Sequence, residues 1–256
     1  NLLGVPTLIQ EQNSFPGKTN KLLAKKAQAI CTAYPNMERF FPKDLIHYTG
    51  NPVRAEMVEI SGKREQAIEH FKLDPAKPTI LVIGGSLGAK TLNKAIKNGM
   101  EKLHESNVQV LWQCGRLYHS DMAVSVNRRN LSSIHLFQFI DKMDLAYAAA
   151  DIVVSRAGAI SVSELSLVGK PAILVPSPNV AEDHQTKNAM TLVNESAALL
   201  VEDESARSKL VNEALQLLEN QSLKEQLGEN ILKFGKKQAA EQIVDVCISI
   251  AKKKWK

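Results

Sequence analysis

The chain has 256 residues, 44% of them hydrophobic, a length and composition that bury a substantial core and leave no disorder-like character. The net charge of +5 comes from 32 basic and 27 acidic residues, interspersed except at the terminal Lys252-Lys253-Lys254-Trp255-Lys256, so an anionic ligand or an anionic membrane surface suits the balance. Nucleic acid does not, because aromatic residues make up only 5% and no recognised binding module is present. In chain order, the opening "NLLGVPTLIQ" has neither an initiator Met nor the charged-then-apolar profile of a signal peptide. Its buried-strand pattern, Val5 to Ile9, leads to the expectation that the sequence is cut and that the elements pairing with this strand precede it. A helix over 19–27 and strands over 29–32 and 46–49 follow, and Gly50-Asn51-Pro52 breaks the chain at a domain boundary. From residue 79 strand and helix alternate: apolar runs at 79–83, 108–112, 134–137, 151–154, 171–175 and 198–201 are each followed by helical periodicity. Such βα units build a doubly wound parallel sheet. Helices over 206–220, 222–234 and 238–253 end the chain, the last with Ile243, Val244, Val246, Cys247, Ile250 and Ala251 on a stripe that needs a partner. The longest apolar runs are strand-sized. Cys31, Cys114 and Cys247, odd in number and far apart, read as buried thiols of a reducing compartment, with no disulfide and no metal site.

The stretch "ILVIGGSLGAKTLNKAI", residues 80–96, hands a strand to a helix through glycines and admits three readings. As a P-loop, Gly84 to Thr91 matches G-x-x-x-x-G-K-T except for Ala89, and no downstream strand ends in the aspartate that would hold Mg²⁺, since Asp151 begins its strand instead of ending it. As a nucleophile elbow, Gly84-Gly85-Ser86-Leu87-Gly88 fits G-x-S-x-G, with Asp183 and His184 downstream but adjacent to each other and no H-G-G-G segment. As a cradle, the freed backbone N–H groups, the Ser86 hydroxyl and the positive end of the helix dipole hold a phosphate. A tight turn without ligand is the bland alternative.

A second glycine turn, Ser155-Arg156-Ala157-Gly158-Ala159, precedes a helix starting near Ile160 and points another helix N-terminus out of the same sheet edge, where ligands of such sheets bind. Glu164, about one turn in, is either a first-turn cap or a carboxylate for a ribose diol. Arg156 serves a phosphate or a neighbouring acid. In "PSPNVAEDHQTKNA", Glu182 and Asp183 suit helix capping, Gln185 suits sugar hydroxyls, and His184 is open between structural and ligand-facing roles. Phe139-Ile140, just after a strand, offers a backbone pair to a base edge or two side chains to the core.

Together, "QEQNSFPGKTNKLLAKKA", "TGNPVR", "GGSLGAKTLN", "FIDKMDLAYAAADIVVSRAGAISVSEL", "GKPAILVPSP" and "EDHQTKNA" resemble the MurG family over nearly the whole chain. These are membrane-associated glycosyltransferases that move N-acetylglucosamine from UDP-GlcNAc to lipid I, giving lipid II in peptidoglycan synthesis. The resemblance implies an α/β, GT-B fold: residues 1–50 as the end of an acceptor-side Rossmann-like domain, 51–235 as the UDP-GlcNAc domain, and 236–256 as a helix returning to the first. It places the donor on Asn13 near the sugar, Arg54, Ser86 at the diphosphate, Ile140 at the uracil, Ala159, Ile160, Ser161, Val162, Ser163 and Glu164 as the nucleotide-facing helix start with Glu164 on the ribose, and Gln185 at the sugar hydroxyls. It implies no cofactor and no metal, and a peripheral place on the cytoplasmic face of the bacterial membrane.

The sequence departs from the family in two ways. The G-G-T-G-G-H segment is absent, and with it the general base and most of the acceptor and membrane-binding surface, and position 10 is Gln where the family commonly has His. The chain alone is therefore expected to bind donor without transferring it. Another UDP-sugar enzyme, such as an epimerase of this architecture, and a serine hydrolase using Ser86 are the alternatives.

Overall fold

The computed structural model describes residues 5–254; the expectations for Asn1–Gly4 and for Trp255 and Lys256 lie outside them. In chain order the elements are β1 (Leu8–Glu11), α1 (Lys18–Leu23), β2 (Ala29–Thr32), β3 (Ile46–Tyr48), α2 (Ala55–Val58), α3 (Arg64–Phe71), β4 (Thr79–Ile83), α4 (Lys90–Glu105) and β5 (Gln109–Gln113). They continue with α5 (His119–Arg129), β6 (Ile134–Phe137), α6 (Met143–Ala149), β7 (Ile152–Ser155), α7 (Ala159–Val168), β8 (Ala172–Leu174), α8 (His184–Val193) and β9 (Leu199–Leu200). Helices α9 (Asp203–Glu219), α10 (Gln221–Leu232) and α11 (Ala239–Lys254) complete the described chain.

Six parallel strands run in the order β6-β5-β4-β7-β8-β9. The chain builds outward from β4 through β5 and β6, returns to the centre, and builds outward again through β7, β8 and β9. The order reverses between β4 and β7, so a crevice opens there at the carboxyl edge. Every residue of β4, β5 and β7 is buried because helices cover both faces, which is why these strands read as unbroken apolar runs. Alternate residues serve two cores. Leu81, Ile83, Leu111, Val153 and Leu174 face one that includes Tyr147 and Leu165; Ile80, Val82, Val110, Trp112 and Ile152 face another that includes Leu92, Met100 and Leu210. Each such side chain contributes about 1.5 to 3 kcal/mol on burial.

A second parallel sheet has the order β1-β2-β3. Its first strand begins at Leu8, not Val5, because Pro6 has no N–H to give a ladder, and it runs on to Glu11. That carboxylate is 3% exposed yet fully engaged: Oε1 accepts from the Asn13 N–H at 2.9 Å, and Oε2 from Asn20 Nδ2 at 2.8 Å and the Gly17 N–H at 3.2 Å. Helix α1 ends at Leu23, short of the expected residue 27, leaving Lys25 and Lys26 exposed. Helix α3, not among the expected elements, starts beside α6, where Lys63 Nζ meets Asp144 Oδ2 at 2.7 Å and Arg64 Nη1 donates to the Ala149 carbonyl at 2.9 Å.

Helix α11 lies against β2 of the small sheet. Just before it, Lys236 Nζ sits 4.1 Å from the centre of the Tyr48 ring. The expected stripe divides: Ile243, Val246 and Ile250 are half-buried, whereas Val244, Cys247 and Ala251 are exposed. Both trios repeat at i, i+3 and i+7 and are offset by one residue, so they form neighbouring rows of the helix, and the first is the row turned inward. Cys31 and Cys114 are buried as expected, and Cys247 is the exception, on the solvent side of α11.

Candidate functional site

The first glycine turn joins β4 to α4. Gly85 and Gly88 take φ of +80° and +90°, and a Cβ on Gly88 would lie 2.1 Å from the Cys114 carbonyl oxygen. Ala89 is extended, with φ −123°, so its Cβ costs nothing. Helix α4 starts at Lys90 with no side chain capping its first N–H groups, and the exposed Ser86 hydroxyl has no partner among the described residues. Free donors and the positive end of a helix therefore share one loop, an arrangement suited to an anion.

The P-loop reading fails on its partners. Thr91 Oγ1 donates to Asp203 Oδ2 at 2.8 Å, and Asp151 lies at the opposite, amino end of the sheet, accepting from the Thr79 N–H at 2.7 Å and pairing with Arg64. The elbow fails too: no hydrogen bond among the described residues joins Ser86 to an acid or a histidine, and His184 Nδ1 bonds the Ala181 carbonyl at 2.9 Å.

The second turn follows β7, the neighbour of β4. Helix α7 begins at Ala159, again without a side-chain cap. Arg156 turns away from the opening: its Nη1 donates to Asp203 Oδ1 at 2.5 Å and to the carbonyls of Val175 and Pro176 at 2.9 and 3.1 Å. Asp203, at the start of α9, thus holds Thr91 behind one turn and Arg156 behind the other. Glu164 is the sixth residue of α7, past the four N-terminal N–H groups, so it is not a first-turn cap. Its Oε2 accepts from the Tyr147 hydroxyl at 2.8 Å. Burial pushes the Glu164 carboxyl upward, opposed by the Tyr147 hydroxyl and the Arg54 charge. Arg54 itself is exposed at the start of α2.

The other expected positions divide. Within the α7 start, Ile160 is 40% exposed, Ala159 and Ser161 are half-buried, and Val162 belongs to the core. Ser163 Oγ donates to the Ala159 carbonyl at 2.9 Å and accepts from Asn51 Nδ2 at 3.0 Å. Ile140 is buried and its N–H is taken by Gln113 Oε1 at 2.9 Å, leaving its carbonyl as the free half of the expected backbone pair; Phe139 is 52% exposed and not a core residue. Gln185 Oε1 accepts from the Ser177 N–H at 2.9 Å, which turns its NH₂ donors away from that bond. Asp183 stands at the N-cap of α8 in a left-handed conformation and accepts from Thr186 Oγ1 at 2.7 Å, capping no backbone N–H. Asn13 Oδ1 accepts from Asn188 Nδ2 at 3.0 Å.

Four buried partners escaped the sequence reading. Asn188, fully buried on α8, donates to Asn13 and the Ala157 carbonyl and accepts from the Ser14 N–H at 2.9 Å. Asn51 accepts from Gln10 Nε2 at 2.8 Å and donates to the Gln12 carbonyl and to Ser163, both at 3.0 Å. Both asparagines stand inside the quoted motifs, but nothing local tells a tertiary bridge from a turn residue. Gln113, polar at the end of an apolar strand, and Tyr147, a phenol within an alanine-rich helix, carried a faint signal: each needs a buried partner.

Residues 79–243 match the glycosyltransferase family 28 C-terminal domain. Over 250 residues the chain is 50% identical to the UDP-N-acetylglucosamine--N-acetylmuramyl-(pentapeptide) pyrophosphoryl-undecaprenol N-acetylglucosamine transferase of Flavobacterium psychrophilum and 52% identical to the enzyme so named in Cytophaga hutchinsonii, covering 98% of this chain and 67% of each relative. The chain belongs to the MurG family. The MurG likeness extends to the fold: the crystal structure of Acinetobacter baumannii MurG superposes with a TM-score of 0.77 at 29% identity, over 97% of this chain and 68% of that one. Its fold is GT-B. MurG membership sets aside the hydrolase and epimerase alternatives.

Proposed function

We propose that this chain carries the donor site of an inverting transferase that moves N-acetylglucosamine from UDP-GlcNAc to lipid I, forming lipid II. One observation carries the reading: the two glycine turns open side by side after β4 and β7, where the strand order reverses, each at an uncapped helix N-terminus. Two aligned positive helix ends suit a nucleotide diphosphate. Ser86 donates to the diphosphate, the Ile140 carbonyl accepts from the uracil, Ala159, Ile160 and Ser161 face the nucleotide while Val162 packs into the core and Ser163 bonds Ala159 and Asn51, Glu164 takes the ribose with Arg54 beside it, and Gln185 and Asn13 hold the sugar hydroxyls. When an acceptor hydroxyl attacks the anomeric carbon, its proton passes to a general base other than these donor-site residues, and the bond to UDP breaks with its electron pair passing to the phosphate. The α4 dipole and Ser86 then stabilise the charge that develops there.

In this reading residues 1–50 end the acceptor-side domain, 51–235 form the donor domain and 236–256 return to the first. The enzyme works at the cytoplasmic face of the membrane as a peripheral protein. A fitting surface lies on and after α1, where Leu22 and Leu23 are 67% and 50% exposed beside Lys21, Lys25 and Lys26. No described helix is long and apolar enough to cross a bilayer.

Calorimetric titration with UDP, UDP-GlcNAc, ADP and GDP, beside transfer of radiolabelled N-acetylglucosamine to a lipid I analogue by the full-length protein, tests the reading. Saturable binding of the uridine nucleotides, and UDP release only with the lipid acceptor present, are expected. A folded sample that ignores uridine nucleotides, or releases UDP without acceptor, would sink it.

A further inference from the structure

Tyr147 is 1% exposed in the middle of α6, where the remaining buried side chains, Met143, Leu145, Ala146, Ala148 and Ala149, are apolar. Packing there asks for an aromatic ring and not for a hydroxyl. The hydroxyl has one hydrogen-bond partner among the described residues, Glu164 Oε2, at 2.8 Å. A carboxylate at the end of a glutamate side chain rotates over a broad range of its last torsion unless something holds it. The Tyr147 bond holds it. The other oxygen, Oε1, has no hydrogen bond among the described residues and is not among the buried side-chain atoms that lack one, so it reaches solvent.

We propose that Tyr147 is a positioning residue for donor recognition, orienting the Glu164 carboxylate so that Oε1 accepts from the ribose and thereby selecting ribonucleotide over deoxyribonucleotide diphosphates. The inference rests on the ribose role given to Glu164 above. It has a second consequence. Burial raises the Glu164 carboxyl, and the Tyr147 hydroxyl and then the Arg54 charge lower it. Removing the hydroxyl leaves burial less opposed, so the carboxyl protonates at higher pH, and a protonated oxygen donates where the ribose needs an acceptor.

The test measures dissociation constants of UDP and 2′-deoxy-UDP for the full-length protein and for Tyr147→Phe, Glu164→Gln and the double variant, across pH. The unaltered protein should prefer UDP by about tenfold or more, the size of a hydrogen bond to a charged group. Tyr147→Phe should lose most of that preference while leaving 2′-deoxy-UDP affinity unchanged, and should move the acid limb of UDP binding to higher pH. In the Glu164→Gln background it should add nothing, because the two residues act as a unit. Retention of the UDP preference in Tyr147→Phe, or an equal loss for both nucleotides that follows a drop in thermal stability, would overturn the inference while leaving the donor reading intact. Absence of any ribose preference in the unaltered protein would remove the role of Glu164 and the inference with it.

Discussion

Ser86 and Glu164 show how differently two residues of the proposed donor site are prepared. Ser86 is exposed and unengaged, so its hydroxyl is free to donate and its removal disturbs no packing. Ser86→Ala is expected to weaken UDP-GlcNAc binding by about 1.5 to 3 kcal/mol, with an unchanged melting temperature. Calorimetry beside a thermal melt checks both, and a fluorophosphonate probe should leave Ser86 unlabelled. Glu164 is held instead by burial and by Tyr147. Because burial raises its carboxyl above the unfolded value of 4.5, the native chain takes up this proton more readily than the unfolded one. Its contribution to stability is therefore fully present below pH 4.5 and is lost as pH rises through the folded value. Glu164→Gln should flatten that part of the stability-against-pH curve, measured by urea unfolding at several pH values, and should lower UDP affinity at neutral pH. Stability of the ligand-free protein and affinity for the donor then move in opposite directions with pH, which a purely structural glutamate would not do.

Among the elements, the β4–α4 loop is the most constrained. Gly88 combines φ of +90° with a would-be Cβ at 2.1 Å from the Cys114 carbonyl, so an added methyl meets backbone that has no room to move. Gly88→Ala is expected to cost roughly 1 to 3 kcal/mol from its left-handed conformation alone, and more from the clash. Chemical denaturation reads the loss, and an unchanged midpoint would show that the loop relaxes. Gly85, at φ +80° with open space around it, should cost only the conformational part when changed to Ala. The pair of measurements separates torsional strain from crowding.

At the scale of the whole molecule, two asparagines tie the small sheet to the large one. Asn51 reaches from the connection after β3 to β1 on one side and to α7 on the other, and Asn188 reaches from α8 to the loop after β1. Phe15 adds to the junction, with Lys21 Nζ 4.0 Å and Lys187 Nζ 3.4 Å from its ring centre. Asn51→Ala leaves the Gln10 amide, the Gln12 carbonyl and Ser163 short of a partner. We expect a loss of about 1 to 3 kcal/mol for each group left buried and unpaired, together with weaker binding of UDP-GlcNAc than of UDP, because Asn13 is set by the same junction. Equal weakening of both ligands would place the effect in the nucleotide half instead.

Sequence periodicity determined the strands and their parallel character by itself, because β4, β5, β7 and β8 are covered on both faces and need apolar residues at every position. The first glycine turn was legible too, since Gly88 combines a left-handed conformation with a contact that no Cβ could share, whereas Gly158 in the second turn has an ordinary φ of −66° and open space. Element ends were less legible, because Pro6 at the start of β1 and the Glu11 network at its end act through hydrogen bonds that local pattern does not report. The tertiary structure alone decided which polar residues are spent on the fold and which are left for a ligand. Arg156, Thr91 and His184 were candidates for chemistry in the sequence and are bound to Asp203, Asp203 and Ala181 in the fold, while the Ser86 hydroxyl and one oxygen of Glu164 have no partner among the described residues. The reason is physical: a hydrogen bond between residues 17 or 47 positions apart depends on how strands and helices are stacked, and stacking has no local signature in the chain.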